Sequence, residues 1–184
     1  MSIFSDVPVT KISRSTHNLS HQVKASFDPG KLIPLMCELA RPGDTWRVGM
    51  EQMVRTMPML APIMDMVDIK VDAFFVPIRL IWDDFEDFIT LGLTGEFEAT
   101  PPTIGVTNKS GTDGWAAALN DVFGVGSLSD YLNFPTNTTY NVSGLYTLRR
   151  DALPYRSYQL IWNEYYANEN LDTEIPIEKS SGHL

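Results

Sequence analysis

"DIKVDAFFVPIRLIWDDFEDFI", Asp68–Ile89, changes its period part-way through, and that change decides the fold class. Val67, Ile69, Val71, Ala73 and Phe75 alternate with Asp68, Lys70 and Asp72, the pattern of a strand with one wet face. Phe74 and Val76 then make the second face apolar as well, so the strand runs into a place with no water on either side. Pro77 lacks the N–H that a ladder needs and stops it. From there Ile81, Phe85 and Phe88 recur at helical spacing with Trp82 and Ile89 beside them, while Asp83, Asp84, Glu86 and Asp87 fill the other positions. The spacing predicts a short amphipathic helix near 79–91, with its acids toward the positive N-terminal end.

Upstream, three more segments read as strands separated by tight turns. "HQVKASF" (21–27) alternates through Val23, Ala25 and Phe27, and Asp28–Gly30 supplies turn chemistry. "KLIPLMCELA" (31–40) is apolar with Pro34 inside it, which points to an edge or a bulge. The "RPGD" turn (41–44) leads into "TWRVGMEQMV" (45–54), where Trp46, Val48 and Met50 share a face. Pro58 and Pro62 make 55–65 an apolar but irregular connection. Residues 1–21 show no sustained period and read as an extended N-terminal arm that needs something else to pack against.

Downstream, the Thr, Pro, Gly and Asn content of 92–114 predicts a long loop. A helix is expected near 115–123, with "GVGS" (124–127) as its stop, and a second polar stretch runs from 134 to 144. Asp151 and Pro154 are placed to start a helix near 153–170, along which Tyr158, Ile161, Trp162, Tyr165 and Tyr166 form an aromatic stripe. The polar tail from Asp172 is expected to fray. No internal repeat is visible. The strands open a β fold that nothing later in the chain closes.

The 184 residues suit one medium domain, and 43% apolar content is enough for a core. A net charge of −9, with Lys and Arg scattered in ones and twos, argues against a surface that grips many phosphates. Cys37 is the one cysteine, so there is no intrachain disulfide, and its apolar neighbours predict a buried thiol that packs and does not react. Neither a signal peptide nor a membrane-length apolar run is visible, which fits synthesis in a reducing cytoplasm.

The chemistry-bearing residues do not build an enzyme. The acids at 83, 84, 86 and 87 could hold a metal, but a solvated helix face near a positive dipole explains them without one. His17 and His21 have the four-residue spacing of helical zinc ligands, yet they lie in an extended arm and lack the intervening glutamate of a metalloprotease motif. "GVGS" has neither the lysine nor the full spacing of a phosphate loop. The stripe from Tyr155 to Tyr166 could stack bases, but its regular helical spacing fits packing on a core or a neighbouring subunit better. Two other classes stay open: a β-sandwich carbohydrate binder using Trp46, Trp82 or Trp115, and a metal-dependent hydrolase using Asp83 and Glu86.

Four blocks in order carry a resemblance: "THNLSHQVKASFDPGKLIPL" (16–35), "RPGDTWRV" (41–48), "PIMDMVDIKVDAFFVPIRLIWDDFEDFI" (62–89) and "LPYRSYQLIWNEYYANENL" (153–171). Together they resemble the N-terminal portion of the major capsid protein of microviruses, small icosahedral single-stranded DNA phages, and most of all their gokushovirus branch. The resemblance spans most of residues 4–171 and leaves the two polar loops unmatched.

It implies a mainly β fold with α insertions, part of a viral jelly roll that in the full-length family is an eight-stranded antiparallel β-sandwich. Residues 1–21 would be the arm and 22–184 the first part of a single, incomplete capsid domain. The implied role is structural and without catalysis or cofactor: copies self-assemble as a homo-oligomer into the icosahedral capsid that encloses the genome. Its implied partners are other virion proteins, including a small basic DNA-packaging protein, with weak interior contact to single-stranded DNA and none to a membrane. Its place would be the virion, assembled in the host cytoplasm. Candidate residues for core or intersubunit packing are Phe74, Phe75, Pro77, Arg79, Trp82, Trp162, Tyr165 and Tyr166.

Overall fold

The computed structural model describes residues 13–96, 99–107, 124–134 and 147–182. Among the described residues its regular elements all lie beyond Pro77. A 3-10 turn at Ile78–Leu80 precedes helix α1 (Phe85–Thr90), strand β1 (Thr103–Thr107), helix α2 (Leu128–Tyr131), strand β2 (Thr147–Asp151) and helix α3 (Leu153–Ile161). Helix α3 widens without a break into a π turn, Trp162–Tyr166. Strands β1 and β2 pair antiparallel, in register from Thr103 opposite Asp151 to Thr107 opposite Thr147.

The four strands expected upstream do not form among the described residues. Segments 21–27, 31–40, 45–54 and 67–76 belong to no regular element and have no ladder. Alternation reports which face a strand would bury; it supplies no neighbouring strand, and none pairs with these segments among the described residues. The turns between them do form. Gly30 and Gly43 take φ of 80° and 85°, and Asp44 N donates to Arg41 O at 3.1 Å, the type II geometry that a Pro-Gly pair favours. Cys37, expected in a core, is exposed on one of these segments.

Other expectations shift in identifiable ways. The helix near 79–91 is split, because Ile81 and Trp82 turn inward to become buried between the 3-10 turn and α1. The loop expected over 92–114 contains β1, whose pairing with a strand far along the chain leaves no local signature. "GVGS" begins an element where a stop was expected. The Ser127 hydroxyl accepts from Asp130 N at 3.4 Å and Asp130 Oδ2 accepts from Gly126 N at 2.8 Å, a reciprocal cap that starts α2. The helix expected over 153–170 leaves helical geometry at Ala167. The helix expected near 115–123 lies outside the described residues.

A small nucleus forms where these elements meet: Ile81, Trp82, Pro102, Ser129, Ala152 and Arg156 are buried. Phe85 and Phe88 pack on the Trp82 ring at 5.8 and 5.2 Å between centroids. The tail does not fray. Asn163 pairs with the backbone of Ile175 through both its amide atoms, and Asp83 N, on the turn before α1, donates to Lys179 O at 3.2 Å.

Candidate functional site

Tyrosine hydroxyls along α3 and the π turn reach out to α2 and to the upstream segments. Tyr155 donates to Ser129 Oγ at 2.7 Å, Tyr158 to Leu32 O at 2.8 Å and Tyr166 to Asp72 Oδ2 at 2.8 Å, while Tyr131 on α2 donates to Ser26 O at 2.7 Å. Tyr158 and Tyr166 of the stripe, with Tyr131 from α2, therefore tether segments lacking a ladder of their own, while Tyr155 ties α3 to α2. Burial holds the Tyr155 and Tyr158 phenols above their ordinary value, so both stay protonated donors.

Phe74 is gripped at the end of this row. Its ring lies 4.7 Å from that of Tyr165 and 6.2 Å from that of Tyr166, edge-on to the latter. The Asp72 carboxyl is held below its usual range, first by the Tyr166 hydroxyl and then by Lys70, whose Nζ is 3.0 Å away. Two open clefts flank Phe74. One, about 280 Å³, is lined by Lys70, Asp72, Tyr165 and Tyr166. The other, about 440 Å³, lies between Ala73–Pro77 and the end of α3, with Phe75, Leu80, Leu160, Ile161 and Tyr165 on its walls.

Of the candidates, Phe74, Phe75, Pro77, Tyr165 and Tyr166 come together here. Phe75 is 82% exposed and Tyr165 69%, both large apolar surfaces turned to solvent. Val67, Ile69 and Val71 continue the exposed face of Phe75, and Met57, Met59, Leu60, Ile63, Met64 and Met66 extend the apolar surface upstream. Arg79 is exposed and makes no ion pair among the described residues. Trp162 is half-buried and closes the π turn by accepting Ala167 N at 2.8 Å. Trp82, 2% exposed, belongs to the nucleus and cannot serve as a sugar-stacking platform.

The acidic quartet and the two histidines do not converge. The Asp84 carboxylate accepts from the Ser181 hydroxyl at 2.6 Å, and Asp83 is exposed. His17 contacts Ser15, His21 contacts the Leu19 carbonyl, and no group of His, Cys, Asp and Glu among the described residues is placed to hold a metal. Cys37 is held above its usual thiol value, first by desolvation and then by the Asp151 and Glu38 charges, the reverse of what a nucleophile needs. Sequence reasoning missed Arg156, Ser129, Ser181 and Asn163. For Arg156 a signal existed: Ala152, Leu153 and Leu160, three or four residues away, put it on a largely apolar helix face.

A family model described as capsid protein (F protein) matches residues 5–183. The chain belongs to the microvirus capsid protein family. It is 35% identical over 177 residues to capsid protein VP1 of Chlamydia phage 1, an alignment covering 95% of this chain and 27% of that protein. It is 29% identical over 181 residues to capsid protein VP1 of Bdellovibrio phage phiMH2K, covering 97% of this chain and 30% of the relative. Capsid protein VP1 of Spiroplasma virus 4 is 26% identical over 181 residues, covering 98% and 30%. The chain thus spans less than a third of the length of the curated capsid proteins it matches. No helix among the described residues is long and apolar enough to cross a membrane.

Proposed function

We propose that this chain is the first part of a jelly-roll capsid subunit whose copies self-assemble into an icosahedral shell around a single-stranded DNA genome. The observation that carries the reading is the run of exposed apolar side chains Val67, Ile69, Val71 and Phe75, the last beside Tyr165, in a member of a capsid family. Such a run on an unpaired segment is stable only when another sheet or subunit covers it.

In this reading residues 22–184 supply strands and insertions to one capsid domain, an eight-stranded sandwich, and residues 1–21 form its arm. Phe74, Pro77, Trp82, Trp162 and Tyr166 fix the local frame. Phe75, Arg79 and Tyr165 face what lies next to it, the rest of the sandwich or an adjoining copy. The partners are further copies, other virion proteins and a small basic DNA-packaging protein, which would offset the like charge of an acidic shell and a polyanion. Contact with the DNA is weak and interior, and assembly takes place in the host cytoplasm. The role is structural, without catalysis or cofactor. Electron microscopy of the full capsid polypeptide tests this: closed particles are expected, and subunits that stay dispersed under every assembly condition would refute it.

A further inference from the structure

Arg156 is a buried cation, 2% exposed, that holds two distant pieces of chain. Its Nη1 donates to Ile81 O at 2.9 Å and its Nη2 to Ser180 O at 2.8 Å. Its Nε, also buried, has no hydrogen-bond partner. Among the described residues no carboxylate forms an ion pair with it, so the carbonyls of Ile81 and Ser180 carry the guanidinium between them.

The tail segment Glu178–Gly182 is fixed on both sides of that contact. Trp82 Nε1 donates to Ser181 Oγ at 2.7 Å, and the Ser181 hydroxyl donates on to Asp84 Oδ2 at 2.6 Å. Asp83 N donates to Lys179 O at 3.2 Å. At the far end Gly182 donates to Thr100 O at 3.0 Å and accepts from Thr103 N at 2.8 Å, so it lies along the start of β1 as a short extra strand would. The segment thereby covers both the Trp82 indole and the opening of β1, a place where a strand edge would otherwise invite pairing.

We infer that Glu178–Gly182 is a strap that docks and releases as one unit over Trp82 and the start of β1, with Arg156 as the positioning residue that makes docking all-or-none. The physical reason is the distribution of the Arg156 bonds. Releasing Ser180 alone, with the rest of the strap still covering the guanidinium, leaves Arg156 Nη2 without an acceptor where water does not reach, which costs more than losing a neutral surface bond. Partial release therefore has no stable form: while Arg156 holds Ser180 the neighbouring bonds of Lys179, Ser181 and Gly182 are kept in place, and once it lets go they fall together. The inference stands on this geometry alone and does not depend on the capsid reading.

Site-resolved amide exchange on the unassembled full chain tests it. The reporters are the amides of Asp83, Thr103 and Gly182, which are bonded across the strap, and those of Tyr131, Leu132 and Phe134, which are bonded within and just after α2. Arg156→Lys keeps the charge but loses the two-pronged fork; it should speed the three strap amides together, by about tenfold or more, and leave the α2 amides unchanged. Ser181→Ala leaves Arg156 intact and should speed the same three as a group to a smaller extent. Independent changes at Asp83 and Gly182 would overturn the unit. Equal acceleration of the α2 amides would reduce Arg156 to an ordinary core residue, and unchanged exchange in both variants would remove the strap altogether.

Discussion

The Tyr166 hydroxyl donates to Asp72 Oδ2 at 2.8 Å, joining the π turn to the strand-like segment beside it across 94 residues of sequence. Both groups carry the mark of the bond: the Asp72 carboxyl is held low and the Tyr166 phenol is raised. A carboxyl lowered in the folded state contributes stability above its ordinary value of 3.8 and loses it as pH falls through the lowered one. A phenol raised in the folded state contributes below its ordinary value of 10.0 and loses it as pH rises through the raised one. The Phe74 clasp is therefore expected to persist between those limits and to loosen on both sides. Nuclear magnetic resonance of the Tyr166 and Phe74 rings during a titration checks this, and a clasp indifferent to acid would show that Asp72 plays no part in it.

Tyr158 holds the arm-side segment in the same way, through Leu32 O at 2.8 Å. Tyr158→Phe removes the hydroxyl and leaves the ring. The expected loss is about 1 kcal/mol, the net worth of one hydrogen bond, and it should appear as faster amide exchange around 26–35 with α3 undisturbed. Equal protection in the variant would mean that packing alone seats the segment.

These contacts explain which parts of the fold the sequence exposed to reading. The Phe74–Ile89 change of period and the aromatic stripe were legible because helices and strands write their faces locally, at fixed spacing. Pro-Gly turns were legible for the same reason. β1 was not, since Thr103–Thr107 becomes a strand only through Thr147–Asp151. Nor was the docked tail, whose polar residues look solvated until Trp82, Arg156 and Asn163 are seen to bind them. The alternation at 21–76 showed faces clearly, but no ladder accompanies it among the described residues. Of the site, Phe74, Tyr165 and Tyr166 pack together, whereas Trp82 is buried in the nucleus.

Asn163 offers a test of the π turn. Its Nδ2 donates to Ile175 O at 2.8 Å and its Oδ1 accepts from Ile175 N at 3.1 Å, so the side-chain amide stands in for a neighbouring strand. The wider turn aims it at that backbone, as local π geometry often re-aims a functional side chain. Asn163→Ala should destabilise the full chain by about 2 kcal/mol, two part-buried bonds being lost together. Asn163→Asp should lose most of that as well, because a carboxylate cannot donate to Ile175 O. Thermal unfolding together with limited proteolysis over 167–176 reads both, and a tail that remains protected in Asn163→Ala would assign its docking to other contacts.

The exposed face and the nucleus should respond to mutation in opposite ways. Phe75 is on the surface of the chain, so Phe75→Asp removes no contact of the nucleus and should change subunit stability by no more than about 0.5 kcal/mol. The same change puts a charge into an apolar face, and burying that face in any interface then requires desolvating a carboxylate without a partner. Closed particles should be lost while the soluble subunit keeps its secondary structure. Trp82→Ala makes the complementary case. It empties the centre of the nucleus and removes the donor to Ser181, which should cost about 3–5 kcal/mol and prevent the subunit from folding before assembly is reached. Circular dichroism and particle counts by electron microscopy separate the two effects. If Phe75→Asp assembles as well as the native sequence, the face from Val67 to Phe75 is not buried in the shell, and the cleft beside Tyr165 is simply surface.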